Sequence, residues 1–424
     1  MDDVRQAAAD GWLYGFPLME NYRTMYAQAV DSADPRYVGF GAFRHHSEPF
    51  TPASTDVVAP NNDTPYSWAW LDLRAEPYLV TVPPTDRYYV LPFHDIDTRY
   101  VGYIGTRTTG PGAGTFLVAG PGWHGAVPDE VDGVLRADSY LVGVLGRTYL
   151  AGPDDVGGLR AVQEGYGLRP LTGRAEPEDV PEWPVWTEES LGDASFFSCL
   201  DFLLRFFPVL HQEAELRARL AKMGVAGLGT FDHETLDVDT RAAIELGISD
   251  ARSRLAAAES TADTSTEWYG TRPPETDDYL TKAVGVDKAL YGLPREEEWH
   301  EGWLTDSAGD LPDGSEKNYV IHFEPGRLPP AHFFWSITMY RLPEHHLVPN
   351  PVDRYSIGDR TPGLVHDTSG ALTLYLQHER PTDTESPNWL PAPHGPFIAV
   401  IRLYGPDPTV LNGTWHLPAL VPRP

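Results

Sequence analysis

The sequence predicts a mainly β protein with an α-helical insert: two antiparallel, jelly-roll-like β-sandwich domains joined by a helical segment. Three observations predict it. Short apolar runs alternate with period two, separated by Gly/Pro turns, over about 64 to 150 and again from 318 onward. Between them lies a block with apolar residues at three-to-four spacing, the period of a helix. No repeat of 20 to 50 residues links these stretches, so a solenoid or propeller is not indicated.

At 424 residues the chain exceeds one ordinary domain. Residues 1 to 50 form an N-terminal helical segment, in which Trp12, Phe16 and Met19 recur at helical spacing up to about residue 31, with Gly15 and Pro17 weakening the middle. Residues 51 to 185 form the first β-sandwich domain. There Tyr78 to Val82 is a strand, Pro83 to Asp86 a turn, and Arg87 to Phe93 the returning strand. Thr115 to Ala119 and Tyr140 to Leu145 continue the series, and Gly105 to Gly114 reads as a hairpin loop, since it lacks the ending of a phosphate-binding loop. Glu176 to Pro184 has linker character. Residues 186 to 300 form a helical domain. Its first stripe is Phe196, Leu200, Leu203 and Phe207, continued by Leu216 and Leu220 to a cap at Gly224. Asp239 can cap a second helix near 240 to 258, and Asp277 or Asp278 a third near 278 to 291. The polar stretch 301 to 316 marks a second boundary, and 301 to 424 is the C-terminal jelly-roll-like domain. Its strands alternate through Tyr319/Ile321/Phe323, Trp335/Ile337/Met339, Leu372/Leu374/Leu376 and Phe397/Ala399/Ile401/Leu403.

Composition limits function. Lys plus Arg number 32 against 61 Asp plus Glu, a net charge of −29, which repels nucleic acid and anionic lipid. No stretch of 18 apolar residues is present and the N-terminal residues lack a signal-peptide pattern, so we expect a cytoplasmic protein with no membrane partner. The single cysteine, Cys199, excludes an internal disulfide and lies in an apolar helical stripe as a packing residue. No nucleophile elbow, zinc-protease helix, nucleotide loop or dinucleotide fingerprint occurs, so no cofactor is expected.

Four groups of residues can carry chemistry. In Asn61-Asn62-Asp63-Thr64-Pro65-Tyr66, Asn and Asp favour a tight turn. As a functional group, Asp63 and Tyr66 would enter a cleft with Asn61 or Asn62 orienting a substrate. In His94-Asp95-Ile96-Asp97-Thr98-Arg99, an extended backbone would put Asp95, Asp97 and Arg99 on one face, with the two carboxylates roughly 6.5 Å apart along the strand. Two carboxylates that close drive one pKa up, and Arg99 restrains the other, which suits an acid/base pair. The plainer reading is a solvated strand end with an ion pair. Mg²⁺ or Ca²⁺ is the metal these oxygens would suit. In Arg354-Tyr355-Ser356-Ile357-Gly358-Asp359-Arg360, Arg354 or Arg360 could clamp a carboxylate, or pair internally with Asp359. Trp389 could wall a pocket or fill the core.

Two long stretches resemble a known family. Residues 58 to 124 contain VAPNNDTPYSWAWLDL and DRYYVLPFHDIDTRYVGYIGTRTTGPGAGTFLVAGPGW; residues 318 to 417 contain LPPAHFFWSITMY, NPVDRYSIGDRTPGL, SPNWLPAPHGPF and IRLYGPDPTVLNGTWHLP. Together they resemble the bacterial two-module family of domain of unknown function 1254 followed by domain of unknown function 1214. The resemblance implies two β-sandwiches separated by helices and implies no reaction. Asp97 and Arg99 stand where an aromatic and an Asn are common in the family, and His300 stands where a Tyr is usual.

The expectation is therefore an acid/base enzyme without a redox cofactor (hydrolase, lyase, isomerase or cyclase) acting on a small organic molecule such as a ring-bearing secondary metabolite. Asp95 and Asp97 would be the acid/base pair, Arg99 the charge tuner, and His94 and Tyr66 hydrogen-bonding groups. Asn62, Asp63, Arg354, Tyr355 and Trp389 would contact substrate in a pocket between the β-domains. The rival is a non-catalytic sandwich that binds carbohydrate or another small ligand through Trp and Tyr. The oligomeric state is not legible.

Overall fold

The computed structural model describes residues 1–55, 59–173, 177, 181–259 and 278–423. They begin with helix α1 (Asp2–Met25), which runs into a π-helical turn, Tyr26–Val30. From Ala7 to Tyr22 nearly every residue of α1 is buried, so it has little polar face for a periodicity argument to find. Gly11 and Gly15 have a packing reason: an added Cβ would lie 2.5 Å from Leu220 Cδ2 and 2.8 Å from Leu200 Cδ2.

The strands of the first module are β1 (Arg44–His45), β2 (Tyr66–Asp72), β3 (Tyr78–Val82), β4 (Tyr89–Asp95), β5 (Tyr100–Gly105), β6 (Gly114–Ala119), β7 (Gly133–Arg136), β8 (Leu141–Thr148) and, after helix α2 (Val156–Gln163), β9 (Gly167–Pro170). One sheet has the order β1-β2-β8-β4-β5 and the other β7-β6-β3-β9. Ala69, Leu71, Val80, Leu91, Val118 and Val142 fill the core of this sandwich. Two expected hairpins are corrected. β3 and β4 lie in different sheets, so Pro83 to Asp86 is a crossing between layers. β5 and β6 likewise lie in different sheets, so Gly105 to Gly114 is not a hairpin loop. Alternation identifies a strand but not its neighbour, and a sandwich allows consecutive strands to change sheet.

Four further helices follow: α3 (Ser195–Leu203), α4 (Ala214–Lys222), α5 (Val238–Glu259) and α6 (Tyr279–Ala289). Trp12, Leu13 and Phe16 of α1 share a core with Phe196, Leu200, Leu220, Ile244 and Ile248. Chain contacts accordingly place Met1–His45, Tyr66–Arg147 and Ala161–Leu293 in one compact unit, without a boundary between the first sandwich and the helices. Gly224, at φ +99°, ends α4. The cap of α5 is Asp237, whose Oδ1 accepts from the Asp239 and Thr240 N–H groups, rather than Asp239. Asp278 caps α6 by accepting from Thr281 N–H; Asp277 lies outside the described residues.

The second unit comprises His46–Pro65, Thr148–Arg160 and Pro294–Pro424. Its strands are β10 (Glu298–Trp303), β11 (Asn318–Phe323), β12 (Ala331–Arg341), β13 (His346–Leu347), β14 (Ser356–Gly358), β15 (Leu372–Gln377), β16 (Trp389–Pro391), β17 (Phe397–Pro406) and β18 (Leu420–Arg423), with a short helix α7 (Pro408–Leu411). The sheets are β10-β17-β12-β13, with β14 also on β12, and β16-β15-β11-β18. Most pairings are antiparallel; β15–β16 here and β6–β7 in the first unit are parallel. The strand β10 overlaps the start of the stretch 301 to 316 expected to be a boundary.

The alternation of β12 positions the site. Trp335, Ile337 and Met339 face the sandwich core. Phe334, Ser336, Thr338 and Tyr340 must then face the other way. On that face Ser336 is registered with Arg402 and Phe334 with Tyr404 of β17, and Glu298 of β10 with Tyr404.

Candidate functional site

On this outer face of β12 and β17 lies a buried polar cluster, completed by the turn at Asn61 to Thr64. The turn forms for the reason the sequence gives: Asn61 Oδ1 accepts the Asp63 N–H at 2.8 Å. Asn61 Nδ2 donates to Thr64 Oγ1 at 3.1 Å and to the Tyr404 hydroxyl at 2.8 Å, tying the turn to β17. The Asp63 carbonyl accepts from Leu150 N–H at 2.9 Å. With its backbone held on both sides, the Asp63 side chain meets Ser336, whose Oγ donates to Asp63 Oδ2 at 2.5 Å.

Asp63 is only 6 % and Ser336 5 % exposed. Burial pushes the Asp63 carboxyl above its ordinary value; the Arg402 guanidinium and the Ser336 and Tyr404 hydroxyls pull it down, Glu298 adds to the rise, and burial wins. Asp63 thus favours its neutral, proton-bearing form more than an exposed aspartate does.

A cavity of about 610 Å³ opens over these residues, lined among others by Asn62, Asp63, Ser336, Tyr149, Phe334 and Arg360. Its apolar wall is ordered: Phe334 stacks on Tyr404 at 4.2 Å between centroids, and Tyr149 lies 4.4 Å from Phe334. The Arg360 guanidinium sits 5.6 Å from the Tyr149 ring centre. Asn62 Nδ2 donates to the Phe50 carbonyl, while its buried Oδ1 has no hydrogen-bond partner among the described residues.

Arg354 and Tyr355 also line this cavity. Arg354 Nη1 donates to the carbonyls of Pro387 and Trp389 at 3.0 and 2.8 Å, so it braces the loop. The Tyr355 hydroxyl donates to Asp353 Oδ1 at 3.0 Å. Trp389 is a core residue, 1 % exposed, with its indole N–H on the Gln377 carbonyl, and is not among the lining residues.

The other nominated residues belong to the first unit, and none lines this cavity. The expected extended backbone from Asp95 to Arg99 is a tight turn instead: Asp95 N–H donates to the Arg99 carbonyl, Thr98 N–H donates to the Asp95 carbonyl, and Thr98 has φ +76°. The two carboxylates have separate partners. Asp95 Oδ1 accepts from Asp138 N–H, Ser139 N–H and Ser139 Oγ at 2.8 to 3.0 Å. Asp97 Oδ2 accepts from Arg99 Nε at 2.6 Å and from Lys282 Nζ at 2.5 Å. Both are fully buried rather than a solvated strand end. Burial alone would raise Asp97, but Arg99 and Lys282 together hold it well below the carboxylate range. Glu213 extends the network, accepting from Arg99 Nη2 and from the Tyr14 hydroxyl.

His94 is buried with Nδ1–H on the Asp95 carbonyl at 3.2 Å, and burial lowers its pKa to about 4. The Tyr66 ring lies under the Arg147 guanidinium, 5.4 Å from its centre. Among the described residues, no group of three or more His, Cys, Asp or Glu is placed to hold a metal ion. Nor is any helix among them long and apolar enough to cross a membrane.

Sequence reasoning found Asn62 and Asp63 through their turn chemistry but passed over Ser336, Tyr149, Phe334, Tyr404 and Arg402. Their one signal was polar and aromatic side chains opposite the apolar face of β12 and β17, a pattern that solvent-facing strands share.

Comparison with known proteins agrees with the two-module reading. A family model described as protein of unknown function DUF1254 matches residues 40–170, and one described as DUF1214 matches 302–408. The cavity draws lining residues from both matched segments. A crystal structure of the VPA0106 protein from Vibrio parahaemolyticus is 26% identical over 99% of this chain and 100% of that one, with a TM-score of 0.78. An uncharacterised protein from Burkholderia cenocepacia is 15% identical over 100% of this chain and 94% of that one, with a TM-score of 0.44. No curated protein matches.

Proposed function

Because the chain belongs to the family in which domain of unknown function 1254 is followed by domain of unknown function 1214, whose descriptions name no reaction, we propose from the site itself that it is an acid/base enzyme, independent of a redox cofactor, acting on a small organic molecule in the cavity around Asp63. The observation that carries this reading is a buried carboxyl, raised by desolvation, on a residue that lines a cavity. A general acid needs its proton at working pH, and burial is how a carboxyl keeps one. Asp63 would donate its proton to a leaving or carbonyl oxygen and, once ionised, remove one from the substrate. Ser336 holds the acceptor oxygen in place, and the hydroxyl can follow the charge as it changes. Hydrolysis, elimination, isomerisation and cyclisation all use such a group. The aromatic wall suits a ring-bearing compound such as a secondary metabolite. A net charge of −29 disfavours nucleic acid and anionic membrane as partners and accords with a cytoplasmic enzyme.

A second reading, a ligand-binding module without catalysis, draws on the aromatic cluster in which Phe334 stacks on Tyr404 and packs at a tilt against Tyr149. One experiment separates the two. Wild type and Asp63→Asn are incubated with a bacterial metabolite extract and compared by mass spectrometry. A compound consumed by wild type and left intact by Asp63→Asn supports catalysis. A compound retained unchanged by both leaves the binding module.

A further inference from the structure

We propose that the cavity of the second unit takes a flat, hydroxylated ring system of two or more rings that carries a carboxylate, with the hydroxyl hydrogen-bonded to Asn62 Oδ1 and the carboxylate paired with Arg360. This rests on the same site as the acid/base reading and specifies what the site holds. Size sets the lower bound: about 610 Å³ is well within the range of drug-sized ligand sites and is underfilled by a single ring. Shape follows from the walls. Tyr149 and Phe334 present packed aromatic surface, against which a flat ring gains contact without losing rotamer freedom.

The polar ends follow from unused hydrogen-bonding capacity. Asn62 Oδ1 is buried and unpartnered among the described residues, and an orphan acceptor of this kind is costly unless a ligand O–H or N–H meets it. The Nδ2 group is committed to the Phe50 carbonyl at 2.8 Å, which fixes the orientation of the amide. At the rim, Arg360 has a side chain that is 56 % exposed; its Nη2 donates to the Phe333 carbonyl, and its Nε is 3.8 Å from Asp359 Oδ2. A guanidinium has five N–H donors, so these contacts leave a fork for a carboxylate. Arg354 is the weaker candidate, because one of its terminal nitrogens already serves backbone carbonyls. Packing of Arg360 on Tyr149 holds the fork beside the ring-binding wall.

The test uses three fluorescent probes on the full chain: 6-hydroxy-2-naphthoate, 2-naphthoate, which lacks the hydroxyl, and 2-naphthol, which lacks the carboxylate. Affinities are measured by fluorescence titration for wild type, Arg360→Gln and Asn62→Ala, each checked for native circular dichroism. The hydroxynaphthoate should bind tightest, and loss of either polar group should weaken binding about tenfold. Arg360→Gln should weaken both carboxylates about tenfold and leave 2-naphthol unchanged, and Asn62→Ala should erase the difference between hydroxynaphthoate and naphthoate. Equal affinity for all three probes, no binding of any, or indifference to Arg360→Gln overturns the proposal. Binding that follows this pattern with no turnover of any extract compound would sink the acid/base reading and leave the ligand class standing.

Discussion

Ser336 and Asp63, 273 positions apart in the chain, meet in a 2.5 Å hydrogen bond between the Ser336 hydroxyl and Asp63 Oδ2. The partnership matters because of what surrounds it. Arg402, registered with Ser336 on the neighbouring strand, is the neighbour that most opposes a protonated Asp63, yet desolvation outweighs it. A carboxyl raised by burial beside a cavity is better suited to act as an acid than one held down by a paired arginine.

The raised carboxyl makes a stability prediction. A group that binds its proton more tightly when folded contributes stability that is full below its unfolded value of 3.8 and is lost as pH rises through the folded value. Urea unfolding of wild type and Asp63→Asn from pH 3 upward should show this: the difference between them shifts in favour of Asp63→Asn with rising pH. A difference independent of pH would mean that folding leaves the Asp63 pKa unshifted, and a shift toward wild type with rising pH would mean that the fold holds it ionised.

His94 gives the opposite slope. Its pKa is lowered from 6.5 to about 4 by burial, so its contribution is present above 6.5 and is lost as pH falls through about 4. The full loss is about 3 kcal/mol by the conversion of 1.36 kcal/mol per pKa unit. His94→Leu, similar in volume and unable to charge, should flatten the acid limb of stability over that window.

Gly143 lies against the same imidazole. A Cβ there would be 2.2 Å from His94 Cε1 and 2.9 Å from Trp70 Cη2. Gly143→Ala should therefore destabilise by about 1–3 kcal/mol through overpacking. The double variant Gly143→Ala/His94→Ala should cost less than the sum of its parts, measured by chemical denaturation.

In the buried Asp97 network, Lys282→Met removes one of two cations from a carboxylate held far below its ordinary pKa. Complete loss of a buried partner costs roughly 3–5 kcal/mol; with Arg99 retained, about 2 kcal/mol is expected. Asp97 contributes stability above its unfolded value of 3.8 that is lost on acidification, and Lys282→Met should lessen that loss.

Asp201 is a structural carboxylate of another kind. It accepts from the N–H groups of Gly227, Leu228, Thr230 and Phe231 and so folds the loop after α4 around itself. Asp201→Ala should cost about 3 kcal/mol and raise amide exchange at these four positions, whereas Asp201→Asn, which keeps one acceptor oxygen, should cost less.

Some elements were legible because their cause is local. The Asn61 turn, the Gly224 helix end and the alternating strands β11, β12, β15 and β17 each follow from side chains within a few residues of one another. The extended backbone expected from Asp95 to Arg99 is a turn for a physical reason: an extended strand end and a tight turn share the same composition, and Thr98 accepts a left-handed φ that its sequence does not announce. The spacing of Trp12, Phe16 and Met19 announced α1, but not that nearly every side of it from Ala7 to Tyr22 is buried, which depends on the helices packed around it.

By itself the sequence determined the fold class, the longer alternating strands and the main helices, the two-module family and the acidic charge, since these depend on residue pattern and composition. Only the tertiary structure decided which carboxylates are engaged by cations and which are merely desolvated. Asp97 lies beside Arg99 and Lys282, and its pKa falls; Asp63 lies near Arg402, and its pKa rises. The pKa of a buried acid is the small difference between a large burial term and large charge terms, and both depend on distances that neighbours along the chain do not set.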